Sequence, residues 1–265
     1  MKISILIPTL DNPDYVELVT NAFRKNTTNP FEILVFANNI SKQMKELANK
    51  LQFDYFNGSD KNKGVAEATN FLAKYATGDI IFYVGDDVYC VPKWDEILIT
   101  KMNPEIRYQY LTGVMFGPTH KNPMMHAPIF YGKTSKQWKE NEEKFLKEWR
   151  DRRTIKQDII SILGPVFIRK ELWDEIGGFD EKFYPGFGTD PDLIAKIYFA
   201  AKKKNVPYEF RGVCDCGMYH FECIGTTKIP EGHGIRRDVH HVFRKKWGLF
   251  PLELQAKLGC GKPID

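Results

Sequence analysis

The first hundred residues alternate between short apolar runs and longer segments in which apolar residues recur at helical spacing. The runs are β-branched and aromatic and are bounded by Pro, Asn or Gly, which predicts buried strands. The predicted strands lie at 3–7, 31–37, 53–56 and 80–84. The helices between them are predicted at 13–26, from just after Ser41 to about 51, and at 65–75. Strands that alternate with such helices are typical of βαβ units, so we expect an α/β fold with a parallel sheet.

The second part of the chain is less regular. The predicted strands are 108–116, 159–168, 208–213 and 217–221, and the predicted helices are 135–158, 171–176, 191–204 and 233–246. We therefore divide the chain into a regular first half at 1–101, a less regular half at 102–232, and a C-terminal helical extension at 233–265.

Two adjacent carboxylates, Asp86 and Asp87, stand where the run at 80–84 leaves the core. In an open α/β sheet, ligands bind outside the carboxyl ends of the strands. Such a pair is costly unless a positive group meets it, and a divalent cation that carries a diphosphate would do so, because Mg²⁺ and Mn²⁺ prefer oxygen ligands. The alternative is a solvated turn, since Asp is common in turns next to a glycine such as Gly85.

Composition sets outer limits on the function. The 265 residues carry a net charge of +4, which permits attraction to phosphate groups but does not indicate a nucleic-acid partner. Five cysteines without a regular spacing favour reduced thiols and a cytoplasmic location. The first apolar run is too short for a signal peptide, and no run approaches the ~20 apolar residues of a membrane span, so any membrane association would be peripheral. No GxGxxG follows the first strand and no P-loop motif occurs, which argues against both of those nucleotide sites.

Several short motifs occur in an order and spacing that are specific when taken together. They are PT at 8–9, NKGVA at 62–66 with Asn70, GDIIFYVGDDV at 78–88, LGPVFIR at 163–169, GGFDE at 177–181, GTDPD at 188–192, His220, and KWG at 246–248. Together they resemble the family 2 glycosyltransferases with the GT-A fold. The resemblance implies a mixed, mostly parallel sheet flanked by helices, in a single domain with a C-terminal helical extension. It makes the first half the nucleotide-sugar-binding half, and the second the acceptor-binding and catalytic half.

The resemblance also implies an inverting, metal-dependent transferase that moves a sugar from a UDP- or GDP-linked donor to a hydroxyl of a glycan or glycolipid. Mn²⁺ or Mg²⁺ would act on the donor diphosphate as a Lewis acid. Asp87 is the predicted metal ligand, with Asp86 serving the donor ribose or the waters of the metal. His220 is the predicted second ligand, because a neutral imidazole can complete an oxygen-rich site, and the alternative is a structural histidine.

The donor base and ribose are expected over the ends of the first two strands, where Thr9, Asp11 and Asn38 are the candidates. The side-chain amide of Asn38 can pair with uracil or with guanine, so it leaves the nucleotide open. Lys63 and Gly64 precede a helix N-terminus and could approach the donor, although an ordinary helix start explains them equally well.

Asp190 is the predicted general base, which an inverting transfer needs on the face opposite the leaving group. The glycine-rich approach at 185–188 would let a sugar come close to the backbone. The competing interpretation makes Asp190 a helix N-cap, because Pro191 after it would suit the first helical position.

Three departures from the family pattern bear on these expectations. Gly85 stands where the metal motif usually begins with Asp, Asn38 stands at the end of the second strand in place of Asp, and Thr189 replaces the acid before Asp190. Gly85 favours a different class of function, a non-catalytic sugar- or nucleotide-binding module with the same fold. A nucleotidyltransferase, which also pairs an α/β sheet with Asp and Mg²⁺, is a third hypothesis.

A second constellation, C-x-C-x3-H-x2-C, is formed by Cys214, Cys216, His220 and Cys223. Three thiols and an imidazole suit zinc, but the spacing is unusual for a structural site and no second pair lies at zinc-finger distance. Free thiols on short strands are the preferred interpretation. The loop at 118–131 falls where the family places its acceptor contacts, and it carries no pattern that identifies the acceptor.

Overall fold

The computed structural model describes residues 1–118, 130–222 and 232–264, without the side chains of 232–238. The strands are β1 (Ile3–Thr9), β2 (Phe31–Asn38), β3 (Tyr55–Ser59), β4 (Ile80–Tyr83), β5 (Val88–Cys90), β6 (Tyr108–Phe116), β7 (Ile159–Ile160), β8 (Val166–Arg169) and β9 (Tyr208–His220). The helices are α1 (Pro13–Asn26), α2 (Lys42–Leu51), α3 (Gly64–Ala73), α4 (Trp94–Thr100), α5 (Ser135–Arg152), α6 (Lys170–Ile176), α7 (Thr189–Lys204), α8 (Gly232–Trp247) and α9 (Pro251–Leu258), with a 3-10 turn at Glu181–Phe183.

All these strands join one sheet, in the order β3-β2-β1-β4-β8-β6-β9-β5, with β7 paired to β9. The first four are mutually parallel, as the βαβ pattern predicts. Strand β8 runs antiparallel to both of its neighbours, while β6 and β9 are parallel over their whole paired length. The predicted α/β class with a mixed, mostly parallel sheet is therefore confirmed.

Helices cover both faces of the sheet, and each face has its own hydrophobic core. Helices α1, α2, α4 and α5 pack on one face, and α3, α6, α7, α8 and α9 on the other. The strands are apolar on both sides because successive side chains point to opposite faces, so Ile5 and Leu6 enter different cores. The aromatic residues of α5, which include Trp138 and Trp149, are buried in the first core, as expected from their helical spacing.

The strands predicted at 53–56 and 159–168 have different bounds in the structure, and β1 continues two residues past its predicted end to Thr9. The strand predicted at 53–56 is Tyr55–Ser59, because it pairs in parallel with the end of β2 as far as Asn38. The strand predicted at 159–168 is split into β7 and β8, and Gly164 between them adopts a positive φ of 121° that interrupts an extended strand. Pairing with β2 therefore decided the end of β3, and the backbone at Gly164 decided the break between β7 and β8.

The second half of the chain shows three further differences. The two strands predicted at 208–213 and 217–221 are one continuous strand, β9, with a register shift opposite Gly113 and Val114. Helix α5 ends at Arg152, well before the predicted end at 158. Helix α9 was not predicted, and it packs with α8 on the same core as α7. No helix in the described ranges is long and apolar enough to cross a membrane.

Candidate active site

The carboxyl ends of β1, β2, β4 and β9 meet at a pocket of about 300 Å³. Six of the nine predicted site residues line it: Thr9, Asn38, Asp86, Asp87, Asp190 and His220. The pocket therefore lies where ligands bind in open α/β sheets, outside the carboxyl ends of the strands.

Asp86 is held to the end of β1 by two side chains. The hydroxyl of Thr9 and the amide of Asn12, whose Nδ2 lies 2.9 Å away, both donate to the same Asp86 oxygen, Oδ2. Strand β1 continues through Pro8 to Thr9, which brings this hydroxyl beside the turn after β4. The Asp86 carboxylate is therefore fixed in place, with hydrogen-bond donors that offset the cost of its burial.

Asp87 pairs with His220. Strand β5 runs antiparallel to β9 with Val88 opposite His220, which brings the imidazole Nε2 to 3.2 Å from Asp87 Oδ2. The backbone of Phe221 also donates to the Asp87 carbonyl at 2.9 Å. Burial lowers the pKa of His220, but the Asp87 carboxylate opposes this, and the net pKa lies above the usual value. An imidazole must be neutral to bind a metal, so a proton and a metal ion would compete for His220.

The residues around Asp87 fit a divalent cation that takes part of its ligands from the protein and the rest from a bound substrate. Among the residues the structure describes, no group of three or more His, Cys, Asp or Glu side chains could hold a metal alone. Mg²⁺ is commonly bound by one or two carboxylates together with substrate phosphates and water, so a site completed by a diphosphate needs no third protein ligand. A Cβ at Gly85 would lie only 2.8 Å from Asp87 Oδ1, so the glycine leaves room for this carboxylate.

Asp190 is the second residue of α7, so it is not the N-cap that the alternative interpretation required. The helix begins at Thr189 and its N-cap is Gly188, which has a φ of 87°. A Cβ at Gly188 would lie 2.5 Å from Val239 of α8, so packing also requires glycine there. The Thr189 hydroxyl, in the place of the family's acid, donates to the carbonyl of Gly186 at 2.7 Å.

One oxygen of the Asp190 carboxylate lacks a partner in the part of the chain that the structure describes. Oδ1 is buried without a hydrogen bond within the described parts of the chain, although the residue as a whole is partly exposed at the pocket. Burial raises the pKa of Asp190 from 3.8 to about 6. A carboxylate with a raised pKa in a pocket is typical of a group that exchanges a proton with a ligand.

The remaining predicted residues, Asp11, Lys63 and Gly64, are not among those that line the pocket. The Asp11 carboxylate accepts from the backbone of Ser41, the N-cap of α2, at 3.3 Å. The Lys63 ammonium pairs with Glu67, while its backbone N–H donates to Asn38 Oδ1 at 2.7 Å. Lys63 thus contacts the pocket through Asn38, and it leaves the amide nitrogen of Asn38 as the donor available to a ligand.

Tyr83 is a lining residue that the sequence analysis missed, because it ends the apolar run of β4. Its ring packs edge-to-face on Phe179, with centroids 5.0 Å apart. Burial, and then the carboxylates of Asp190, Asp87 and Asp86, raise the pKa of Tyr83 well above its usual value. The phenol therefore stays protonated and can donate a hydrogen bond. Its signal in the sequence was a hydroxyl near the end of an otherwise apolar run.

The cysteine constellation can be followed only in part, because Cys223 lies outside the described residues. Cys214 and Cys216 are buried free thiols on β9. The thiol of Cys216 contacts the carbonyl of Trp94 at 3.8 Å, and burial raises the pKa of Cys214 to about 11. Protonated, buried thiols agree with the interpretation as free cysteines.

A family model described as "Glycosyl transferase family 2" matches residues 4–167 of the chain. The match covers more than half of the chain, so the chain belongs to glycosyl transferase family 2. The resemblance read from the motifs is thereby confirmed.

One curated relative is the O-antigen biosynthesis protein RfbC of Myxococcus xanthus, which is 25% identical over 213 residues. The alignment covers 74% of this chain but 16% of that protein, so the chain spans about a sixth of the length of its relative.

Several solved structures resemble most of the chain. S. aureus TarS 1-349 in complex with UDP-GlcNAc has a TM-score of 0.60 at 14% identity, over 96% of this chain and 69% of that chain. The mannosyltransferase PcManGT from Pyrobaculum calidifontis in complex with GDP-Man and Mn²⁺ has a TM-score of 0.59 at 12% identity, over 97% and 68%. GalNAc-T7 with UDP, GalNAc and Mn²⁺ has a TM-score of 0.59 at 13% identity, over 83% and 44%. This likeness concerns the fold and confirms the GT-A architecture.

Proposed function

We propose that this chain is an inverting, metal-dependent glycosyltransferase that moves a sugar from a nucleoside-diphosphate donor to a hydroxyl of a glycan or glycolipid. The observation that carries the proposal is the presence of two kinds of carboxylate in one pocket. Asp87 is paired with His220 at 3.2 Å, whereas Asp190 has one oxygen without a hydrogen bond among the described residues and a pKa of about 6. Binding of a metal diphosphate needs the first kind of group, and deprotonation of an acceptor needs the second.

The donor base and ribose bind over the ends of β1 and β2. Thr9 and Asn12 orient the Asp86 carboxylate, which accepts from the ribose hydroxyls. The amide nitrogen of Asn38 donates to a carbonyl of the base, since the Asn38 oxygen already accepts from Lys63. Uracil and guanine both offer such a carbonyl, and the similar solved structures contain UDP-GlcNAc, UDP or GDP-Man.

Asp87 and His220 would hold the metal, which we propose to be Mn²⁺ or Mg²⁺, as two of the similar structures contain Mn²⁺. When bound, the ion supplies positive charge to the leaving diphosphate. The chain's part is to orient Asp87, through His220 and through the backbone of Phe221, and to leave space beside it at Gly85.

Asp190 acts as the general base. It takes the proton of the acceptor hydroxyl while that oxygen attacks the anomeric carbon from the face opposite the diphosphate. The carbon–oxygen bond to the diphosphate breaks, the nucleoside diphosphate leaves with the bonding electrons, and the anomeric configuration is inverted. A base with a pKa of about 6 is ionised near neutral pH and remains basic enough to assist this step.

A specific observation favours a second candidate function, the non-catalytic binding module. Gly85 replaces the first acid of the family's metal motif, so the chain has one fewer potential ligand. A binding module would have no use for Asp190, because burying a carboxylate oxygen without a hydrogen-bond partner in the described residues costs stability and brings such a module no benefit. We therefore place this candidate second.

Incubation with Mn²⁺ and a panel of UDP- and GDP-sugars, with nucleoside diphosphate as the measured product, tests the proposal. We expect slow release from one donor without acceptor, and loss of that release with EDTA while the thermal unfolding transition is retained, because an exchangeable ion does not hold the fold. Donor binding without release would support the binding module, and release of pyrophosphate would support a nucleotidyltransferase.

A further inference from the structure

A cluster of charges around the buried Asp192 lies outside the pocket, where the last turn of α8 meets the first turns of α7. Asp192 is fully buried, and its Oδ1 lies 2.8 Å from Lys246 Nζ and 2.7 Å from Trp247 Nε1. Lys196 adds a second ammonium, 3.9 Å from Asp192 Oδ2. A carboxylate without solvent contact needs such partners, so the position of Asp192 depends on the end of α8.

Lys246 also holds the turn that precedes α7. Its ammonium lies 2.6 Å from Asp180 Oδ2, in the GGFDE motif. One side chain therefore joins Asp180 to Asp192, although the two are twelve positions apart in the sequence. The segment between them contains 185–187 and Asp190, all of which line the pocket.

Packing along α8 supports the same segment. Val239 lies against Gly188, the N-cap of α7, and Phe243 packs on Phe183 with ring centroids 6.4 Å apart. The backbone at Gly188 determines where α7 begins and hence where Asp190 lies. None of Lys246, Trp247, Asp180 and Asp192 lines the pocket itself, so any effect of these residues on chemistry acts through the segment they hold.

We infer that Lys246 and Trp247 are positioning residues for the transfer reaction, which fix Asp190 and the pocket residues at 185–187 by holding Asp180 and Asp192. The inference rests on the proposed function. A shift of a catalytic group by about 1 Å can cost about a hundredfold in rate, because the reacting atoms must be held in line. Donor binding uses the strand ends, which this cluster does not contact, and should be retained.

The variant Lys246→Met tests the inference, since it removes the ammonium but keeps a side chain of similar length. We expect turnover to fall at least about tenfold, with donor Kd within about twofold of the parent, when both are assayed well below their melting temperatures. Lys246→Arg keeps the charge and should recover part of the rate. The matched control is Lys245→Met, because Lys245 is an exposed neighbour with no hydrogen bond or ion pair in the described residues.

Trp247→Phe provides a milder variant if Lys246→Met does not fold. It removes the N–H that donates to Asp192 and keeps a ring to stack on Phe199, where the two planes are 7° apart at 5.1 Å. Loss of a single hydrogen bond to a charged group should reduce turnover about threefold to tenfold, again without a change in donor Kd.

Turnover within twofold of the parent in both folded variants, with only the melting temperature reduced, would overturn the inference and leave the cluster a purely structural one. Weaker donor binding in place of slower turnover would overturn it equally. The proposed function is tested separately, by the release of nucleoside diphosphate from the parent protein. If the parent released none from any donor, the proposed function would be contradicted, and the positioning role would be contradicted with it.

Discussion

The pocket has two sides that differ in how their carboxylates are paired. The strand side carries Asp86 and Asp87, and the helix side carries Asp190. Thr9 and Asn12 donate to Asp86, and His220 pairs with Asp87. Asp190 has a buried oxygen without a hydrogen bond in the described chain, and burial raises its pKa to about 6. Paired carboxylates keep their charge and hold a cation, whereas a desolvated one gains affinity for a proton. The comparison therefore assigns binding to one side and proton transfer to the other.

Asp87→Ala should have the largest effect, because it removes the paired carboxylate from the strand side. We expect metal-dependent donor binding to be lost, and the fold to be retained because the residue lies at a strand end, where its loss opens no core cavity. Calorimetric titration with UDP or GDP in the presence of Mn²⁺ measures this, with Asp14→Ala, an exposed acid on α1, as the control. An unchanged metal requirement in Asp87→Ala would contradict the assignment of Asp87 as the metal ligand on the strand side.

Asp190→Asn should separate the helix side from the strand side. We expect transfer to the acceptor to fall by about 10²–10⁴-fold, because an amide cannot take the proton, while donor Kd stays within about twofold. Steady-state kinetics and calorimetry on the same preparation measure the two quantities. Turnover within a fewfold of the parent would mean that the base lies elsewhere. The neighbouring acid Asp192 is a poor candidate for that base, because its carboxylate is already bound to Lys246 and Trp247.

The same variant should make the protein more stable near neutral pH. The pKa of Asp190 is raised from 3.8 to about 6 in the folded state, so proton binding contributes stability that is complete below the lower value and is lost as pH rises through the higher one. Above about pH 6 the parent keeps a buried charge that the Asn variant lacks, so we expect the variant to gain about 1–3 kcal/mol.

Urea unfolding of both proteins at several pH values measures this difference in the free energy of unfolding. The gain should shrink between about pH 6 and pH 4 and disappear below that range. A variant that is less stable than the parent at every pH would show that Asp190 is paired or solvated, contrary to the comparison.

Tyr83→Phe should have the smallest effect, since it removes one hydroxyl between the two sides. The phenol stays protonated beside the three carboxylates, so we expect it to donate to the bound substrates, and its loss to reduce kcat/KM about threefold to tenfold. Tyr184→Phe is the control, because Tyr184 is an exposed tyrosine that does not line the pocket. Equal, unchanged rates in both variants would remove Tyr83 from the site.

Much of the fold followed from the sequence where local signals were strong. Helix Pro13–Asn26 and strand Tyr108–Phe116 have the predicted ends, because proline opens the first and a long β-branched and aromatic run forms the second. The end of β3 was wrong because pairing with β2 extends it over Asn57 and Gly58, against their turn preference. Three-dimensional neighbours overrode local propensity there.

The candidate site followed in part, for a similar reason. Residues at strand ends, such as Asp87 and Asn38, could be predicted, because the topology of a parallel sheet gathers its carboxyl ends. The N-cap alternative for Asp190 was wrong because Val239, about fifty positions further along the chain, packs on Gly188 at the N-cap position. Tyr83 was missed because the direction of a side chain at the end of a buried strand depends on the packed core.

The pH dependence of transfer tests the difference between the two sides most directly. Besides Asp190, the nearby Tyr83 and Tyr110 have pKa values raised well above the usual range and stay neutral throughout, and His220 is neutral when it binds a metal. At saturating donor and Mn²⁺, kcat/KM for the acceptor should be constant above about pH 6 and fall about tenfold per pH unit below it. The residual rate of Asp190→Asn should not show this decrease at low pH. A parent rate that stays level down to about pH 4.5 would contradict the assignment of Asp190 as a desolvated base.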